Sequence, residues 1–232
     1  MKKLYLLVVI CGWATLAQGQ KLEITAQLHT GVSKFGGASA ASSSFILVSD
    51  VAGSNSYTIN PYGRGFGLNY GAGAQLQLVT DRRLLLGAQV AVEQLRSRIN
   101  IGGIYSFRSD SRAEGHATLQ SNFLNLQPYL GRRLYLRTIE MDLTLGTDIG
   151  FCLKSTEHGQ ATDAYGNDVT TSLERHKPAI DFRPRLGIAA YRKHLGLAFS
   201  YAHGLTNYTS GYEGANSEVY ARVLRLGLLY RL

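Results

Sequence analysis

The chain has 232 residues, 45% of them hydrophobic, and carries 24 Lys+Arg against 16 Asp+Glu for a formal charge of +8. With 17% charged residues, 26 Gly, 14 Tyr and 4 Pro, it is too apolar and aromatic for a disordered chain and unlike a helical bundle, so a β-rich fold is expected. No uninterrupted apolar run reaches the roughly 18 residues of a membrane-spanning helix, which excludes a helical membrane protein. Strand-built ones stay open, because alternation averages their hydrophobicity away.

Lys2 and Lys3 precede an apolar stretch from Leu4 to Leu16, and Ala17 and Gly19 then bracket Gln18 as a small-residue cleavage site. This pattern predicts a secretory signal peptide over residues 1–19 and a single mature domain over 20–232, with cleavage after Ala17 as the weaker alternative. Ile10 before Cys11 argues against a lipoprotein. Cleavage leaves Cys152 alone, so the mature chain has no intramolecular disulfide despite its export.

From there the parity of side chains carries the reading, since residues i, i+2 and i+4 of a strand share one face. Leu22, Ile24, Ala26, Leu28 and Val32 oppose Glu23, Thr25, Gln27, His29 and Ser33. Phe66 to Leu78 gives an apolar even face against Gly65, Gly67, Asn69, Gly71, Gly73, Gln75 and Gln77. Four further spans alternate in the same way: 84–93, 124–131, 141–151 and 180–188. The last two, 195–201 and 223–232, bring the count to eight, each about long enough to cross a bilayer when tilted.

Connections alternate as well. Those at Thr80 to Arg83, Arg132 to Glu140 and Arg192 to His194 are short. Phe35 to Gly63, Arg96 to Thr118, Lys154 to Lys177 and Thr206 to Glu218 are long and polar. Short turns at one end and long loops at the other are the mark of an outer membrane barrel. The expected fold is therefore all-β: an eight-stranded antiparallel up-and-down transmembrane β-barrel with short periplasmic turns, long extracellular loops and both termini periplasmic.

Eleven strand glycines, Gly71, Gly87, Gly146 and Gly187 among them, share the polar parity, as a barrel this narrow requires if small residues are to alternate inside with long polar ones. A lipocalin-like secreted carrier needs the opposite, an apolar lumen in a polar shell, and is the soluble alternative. Inward parity also collects Glu23, Glu93, Asp142, Asp148, Asp181, Arg183, Arg185, Arg225 and Arg231 into a lumen charge network. Buried charges must pair, so the network either plugs the lumen or, in a small-solute channel, forms a charged constriction with water continuous past Gly71, Gly146 and Gly187.

No local motif supplies catalysis. His29 and Ser200 share the inward parity and would need an inward carboxylate within reach to make a barrel-embedded hydrolase or acyltransferase. The dispersed His residues lack metal-ligand spacing, and Asp163, Gly166, Asn167 and Asp168 read as a turn, so neither metal nor other cofactor is expected. Phe66, Phe151 and Tyr201 at the long-loop side and Tyr135, Tyr191 and Tyr230 at the short-turn side suit two interfacial girdles. Arg96, Arg98, Arg108 and Arg112, in one long loop, are placed to meet lipid phosphates at the cell surface.

The C-terminal third then carries a family resemblance. Gly187 to Tyr191, the stretch L-A-F-S-Y-A-H-G-L-T-N-Y from Leu197 to Tyr208 and the end Val223 to Leu232 resemble the PorT-like outer membrane β-barrel family of Bacteroidetes-type bacteria, with Ser200 to Asn207 the most specific piece. Phe123 to Leu130, F-L-N-L-Q-P-Y-L with Pro128 in mid-strand, looks like that family's fourth strand. The resemblance implies an integral outer membrane barrel of a Gram-negative bacterium, without agreed catalytic residues, some of whose relatives serve type IX protein secretion or surface functions. Expected partners are outer membrane lipid including lipopolysaccharide, the barrel assembly machinery during insertion, and a protein at the loops or periplasmic face, but no nucleic acid. A non-enzymatic structural or accessory role is the leading expectation.

Overall fold

The computed structural model describes residues 20–49, 55–106, 110–210 and 217–232; the expected signal peptide and Arg108 lie outside them. Eleven strands are present among the described residues: β1 (Lys21–Gly36), β2 (Ser43–Leu47), β3 (Tyr57–Thr58), β4 (Gly65–Val79), β5 (Leu84–Tyr105), β6 (Asp110–Leu136), β7 (Ile139–Asp163), β8 (Asp168–Glu174), β9 (Ile180–Arg192), β10 (Leu195–His203) and β11 (Tyr220–Arg231). The chain is all-β, and every ladder is antiparallel except that of β2 with β5.

Eight of these strands, matching the spans read from parity except that β11 stops one residue short of Leu232, form the wall. The ladders run β5-β4-β1-β11-β10-β9-β7-β6, and β6 pairs again with β5, so the path returns to its start. The first and last strands are zipped from Thr25↔Arg231 to Gly36↔Tyr220. Around this ring the distribution of polarity is the reverse of a water-soluble core. Leu22, Leu28, Leu130, Leu186 and Leu197 are each about 60% exposed, while Glu23, Gln77, Glu93, Asp142 and Arg183, whose parity is opposite, are buried.

The long connections depart from expectation. Much of what composition marks as loop is strand: β5 and β6 stay paired out to Tyr105↔Asp110, and β6 and β7 out to Ala113↔Asp163. Beyond the wall the polarity turns over. On β5 the outward residues change from Val90 and Val92 to Gln94, Arg96 and Arg98, while Leu95, Ile99 and Ile101 turn inward and are buried. On β7 the change is made by a bulge, since Asn122 faces Lys154 and Phe123 faces Cys152, leaving Leu153 as the extra residue. After it, Ser155, Glu157 and Ala161 point inward.

This extension is a curled sheet of β3-β2-β5-β6-β7-β8. Its concave side holds a second apolar core of Ile46, Ile99, Ile101, Ile104, Ala113, Ala117 and Ala161. Its two edges, β3 and β8, are not laddered to one another. They are joined through buried Glu157, whose carboxylate accepts from the Thr58 amide (2.8 Å), the Thr58 hydroxyl (2.5 Å), the Thr171 hydroxyl (2.8 Å) and Arg175 Nε (2.6 Å). Arg175 also donates to the Thr58 carbonyl. At the β7–β8 turn Asp163 accepts from Tyr165 and Asn167 amides and from Asn167 Nδ2, and Gly166 takes a φ of 85°. Those bonds, the Asn167 side chain's first, hold its carboxyl below the usual range.

At the other end the three hairpin turns are tight. Each places a basic residue in the left-handed region: Arg83 (φ 64°), Arg137 (φ 56°) and Lys193 (φ 58°). A residue with a Cβ gives up about 1 kcal/mol there relative to glycine, which is the ordinary occupant of such positions.

Candidate functional site in the lumen

The lumen is organised in layers, each built from alternate residues of several strands. Nearest the short turns, Arg133 of β6 reaches two carboxylates at once. Its Nη1 and Nη2 donate to Glu23 at 2.8 and 2.7 Å, and its Nε and Nη2 donate to Asp142 at 2.7 and 2.8 Å. Arg231 joins Glu23 (3.2 Å) to Glu140 (2.5 Å), with its guanidinium 3.9 Å from the Tyr191 ring centroid. Gln77 Nε2 donates to Asp142 at 3.0 Å, and Tyr129 hydroxyl donates to Gln77 at 2.8 Å. Lys21 closes the set at 3.1 Å from Glu23, so three cations meet three carboxylates.

The second ionic layer lies further along the lumen. Arg225 donates to both oxygens of Glu93 (2.5 and 2.8 Å) and lies 2.8 Å from Asp148. Arg183 is 3.6 Å from Asp181 and 3.9 Å from Asp148, and donates to Asn125 at 2.8 Å; Asn125 in turn donates to Glu93 at 2.8 Å. Arg185 is 3.7 Å from Asp148 and donates to Gln127. Here too three guanidinium groups meet three carboxylates. Between the layers a gap of about 40 Å³, lined by Gln27, Gln89, Gln127 and Tyr129 and by Pro128 and Leu229, has room for a few waters at most.

A cap of aromatic rings covers the second layer. Phe35 packs edge-on against Tyr62 and Tyr208 at centroid separations of 5.1 and 4.9 Å, and Phe123 sits 5.0 Å from the Arg183 guanidinium. Tyr208, from the β10–β11 connection, donates its hydroxyl to Asp181 at 2.5 Å. Burial, then the Asp181 charge, pushes that phenol well above its ordinary range, so it stays protonated as the donor. Tyr62 of the β1–β4 connection and Tyr208 of the β10–β11 connection thus lie over the lumen.

All nine residues assigned from parity to the charge network face the lumen, divided between the two layers: Glu23, Asp142 and Arg231 in one, Glu93, Asp148, Asp181, Arg183, Arg185 and Arg225 in the other. Arg133 and Glu140 were not among them, although Arg133 continues the parity of Asn125, Gln127, Tyr129 and Gly131. Side chains occupy the space beside several of the lumen glycines. A Cβ at Gly87 would overlap the Tyr129 phenol, one at Gly71 the His29 ring, and one at Gly187 would lie 2.7 Å from the Thr144 hydroxyl.

His29 approaches Glu93 at 3.3 Å, but neither ring nitrogen makes a hydrogen bond, so His29 and Ser200 are not joined as a catalytic pair. Among the described residues no group of three His, Cys, Asp or Glu side chains could hold a metal ion. Of the aromatic girdle residues, Phe66, Phe151, Tyr201, Tyr135 and Tyr230 are exposed, whereas Tyr191 is buried beneath Arg231. Its odd number places it with the inward set, which corrects its assignment to the girdle. Arg96, Arg98 and Arg112 lie on strands β5 and β6, not in a loop, with Arg96 donating to Gln120 and resting 5.5 Å from the Tyr70 ring centroid.

No protein-family model and no curated protein matches the chain, so the PorT-like resemblance rests on its motifs. Among solved structures, the chain is similar to Ail, the attachment invasion locus protein of Yersinia pestis, solved with the heparin analogue sucrose octasulfate, at 11% identity and a TM-score of 0.32, over 93% of this chain and 100% of that one. It is also similar to Neisserial surface protein A, at 9% identity and a TM-score of 0.40, with coverage of 93% and 100%.

Proposed function

We propose that the chain is an integral outer membrane β-barrel of a Gram-negative bacterium, non-enzymatic, with its lumen closed by side chains and its extension standing outside the cell as the face that meets a partner. One observation carries this reading: around the ring the large apolar side chains are exposed and the charged ones buried, and the polarity turns over at one level, where β5, β6 and β7 leave the wall. A soluble carrier has no use for that belt. The PorT-like motifs point the same way, and with them a structural or accessory task in secretion or surface attachment.

A small-solute channel is disfavoured by the two neutralised layers and the aromatic cap. Opening a path would separate bidentate pairs that are buried on both sides, at several kcal/mol each. The experiment is ion conductance of the refolded mature chain in a planar bilayer, beside the Arg183→Ala and Arg185→Ala variants. Reproducible insertion without steps in the parent supports the plugged reading. Steady steps altered by those substitutions would establish a pore, and recovery of the protein in the soluble fraction after carbonate washing of membranes would remove it from the membrane altogether.

A further inference from the structure

Exposed charge at the short-turn end is predominantly basic. Arg82 and Arg83 in the first turn, Arg132 and Arg137 around the second, and Arg192 and Lys193 in the third are all exposed. None of the six has a carboxylate within ion-pair distance among the described residues, where the other exposed side-chain charges at this end are Asp81 and Lys21, the latter held by Glu23. The long-connection end is mixed: Glu114, Asp168, Glu174 and Asp110 stand among Arg98, Arg112 and Lys177.

Two further features make this more than a surplus of arginine. Arg132 and Arg192 share the outward parity of the apolar wall, so their side chains leave the barrel on its belt side, beside exposed Leu84, Leu134 and Leu195. And all three turns set a basic residue at a left-handed position where glycine would fit without strain. The same unfavourable choice is made three times with the same chemistry at the same level of the fold, and of the three only Arg83 rests on a neighbouring ring among the described residues, 5.1 Å from the Tyr135 centroid.

We propose that this rim is a collar for anionic phospholipid: the six cations ring the wall at headgroup level and bind the phosphates of the leaflet at the short-turn end. The inference rests on the membrane-barrel reading above. A long basic side chain on an apolar wall keeps its stem on the belt and its charge in the headgroup layer, and each such residue near an anionic surface favours the lipid by roughly fivefold. An acidic protein would also meet the charge, but not the belt from which Arg132 and Arg192 emerge.

The test uses the refolded chain in phosphatidylcholine vesicles, with spin-labelled phosphatidylglycerol or phosphatidylcholine as the probe and the motionally restricted fraction as the readout. Phosphatidylglycerol is expected to be preferred severalfold, less so at high salt, and the preference should fall to unity when all six cations are replaced by Gln. An Arg98→Gln/Arg112→Gln variant at the opposite end should keep it. If the sixfold variant does not insert, Arg132→Gln/Arg192→Gln, which alters neither a turn nor an ion pair, should lower the preference part of the way. Equal restriction of the two probes by the parent, or loss of preference in the opposite-end variant instead, overturns the collar alone. A parent chain that does not insert overturns the barrel reading with it.

Discussion

Arg133 shows how much one side chain can hold in a lumen of this width. It is 1% exposed and makes two bidentate pairs, to Glu23 from β1 and to Asp142 from β7, so it joins strands that are not neighbours in the ring. Removing it strands two buried carboxylates. Arg133→Met should therefore lower the unfolding free energy by about 3–5 kcal/mol, measured by urea titration of the refolded protein in detergent. Neutralising the carboxylates in the same chain, with Glu23→Gln and Asp142→Asn, should recover most of the loss, because the cost lies in uncompensated charge. Arg133→Lys keeps the charge but can satisfy one carboxylate at a time, and should fall between.

At the scale of strands, the parts legible in the sequence were those with exposed apolar side chains on one side and a polar lumen on the other. The eight wall spans, from 22–33 to 223–232, have that contrast, 84–93 the least, and the inward charge set follows from it. The extension was illegible for the opposite reason. On β6 and β7 its outward residues are polar and its inward ones small, as in Ala113, Ala117 and Ala161, so the only apolar stripe there is the short one of Leu95, Ile99 and Ile101 on β5, and composition resembles a loop. The turnover at Leu153 also breaks parity by one residue, which no alternation count survives. Arg133 was hidden by the adjacent Gly131 and Arg132, which read as the start of a turn, whereas the turn lies at Arg137 and Thr138. Within the extension, Glu157 replaces a missing ladder between β3 and β8. Glu157→Ala removes several charge-assisted hydrogen bonds. Protease cleavage within residues 37–64 of the vesicle-bound protein should accelerate on the order of tenfold or more, the equivalent of about 1.4 kcal/mol of local stability. The wall should be untouched, so heat-dependent gel migration should not change. Loss of both together would mean that extension and wall unfold as one unit.

For the molecule as a whole, taken as the membrane barrel proposed above, the belt sets the solvent it needs. The outward apolar run of β1, Leu22–Val32, is eleven residues long. At about 3.3 Å per residue and a tilt near 45°, it spans roughly 25 Å, the height of an outer membrane barrel's apolar band. Above that level β5 turns Gln94, Arg96 and Arg98 outward, and below it stand the rim cations, so neither end can yield more apolar surface to a thicker bilayer. The protein must then thin the lipid or draw charge into it, at fractions of a kcal/mol for each ångström of mismatch. Unfolding free energy in vesicles should accordingly be greatest where the hydrocarbon thickness is about 25 Å, and lower by about 1–3 kcal/mol in bilayers near 30 Å. Urea titration across a series of saturated phosphatidylcholine chain lengths reads this directly. A stability that does not vary with chain length would mean that the exposed leucines are covered by something other than lipid, and the belt would then be a protein interface.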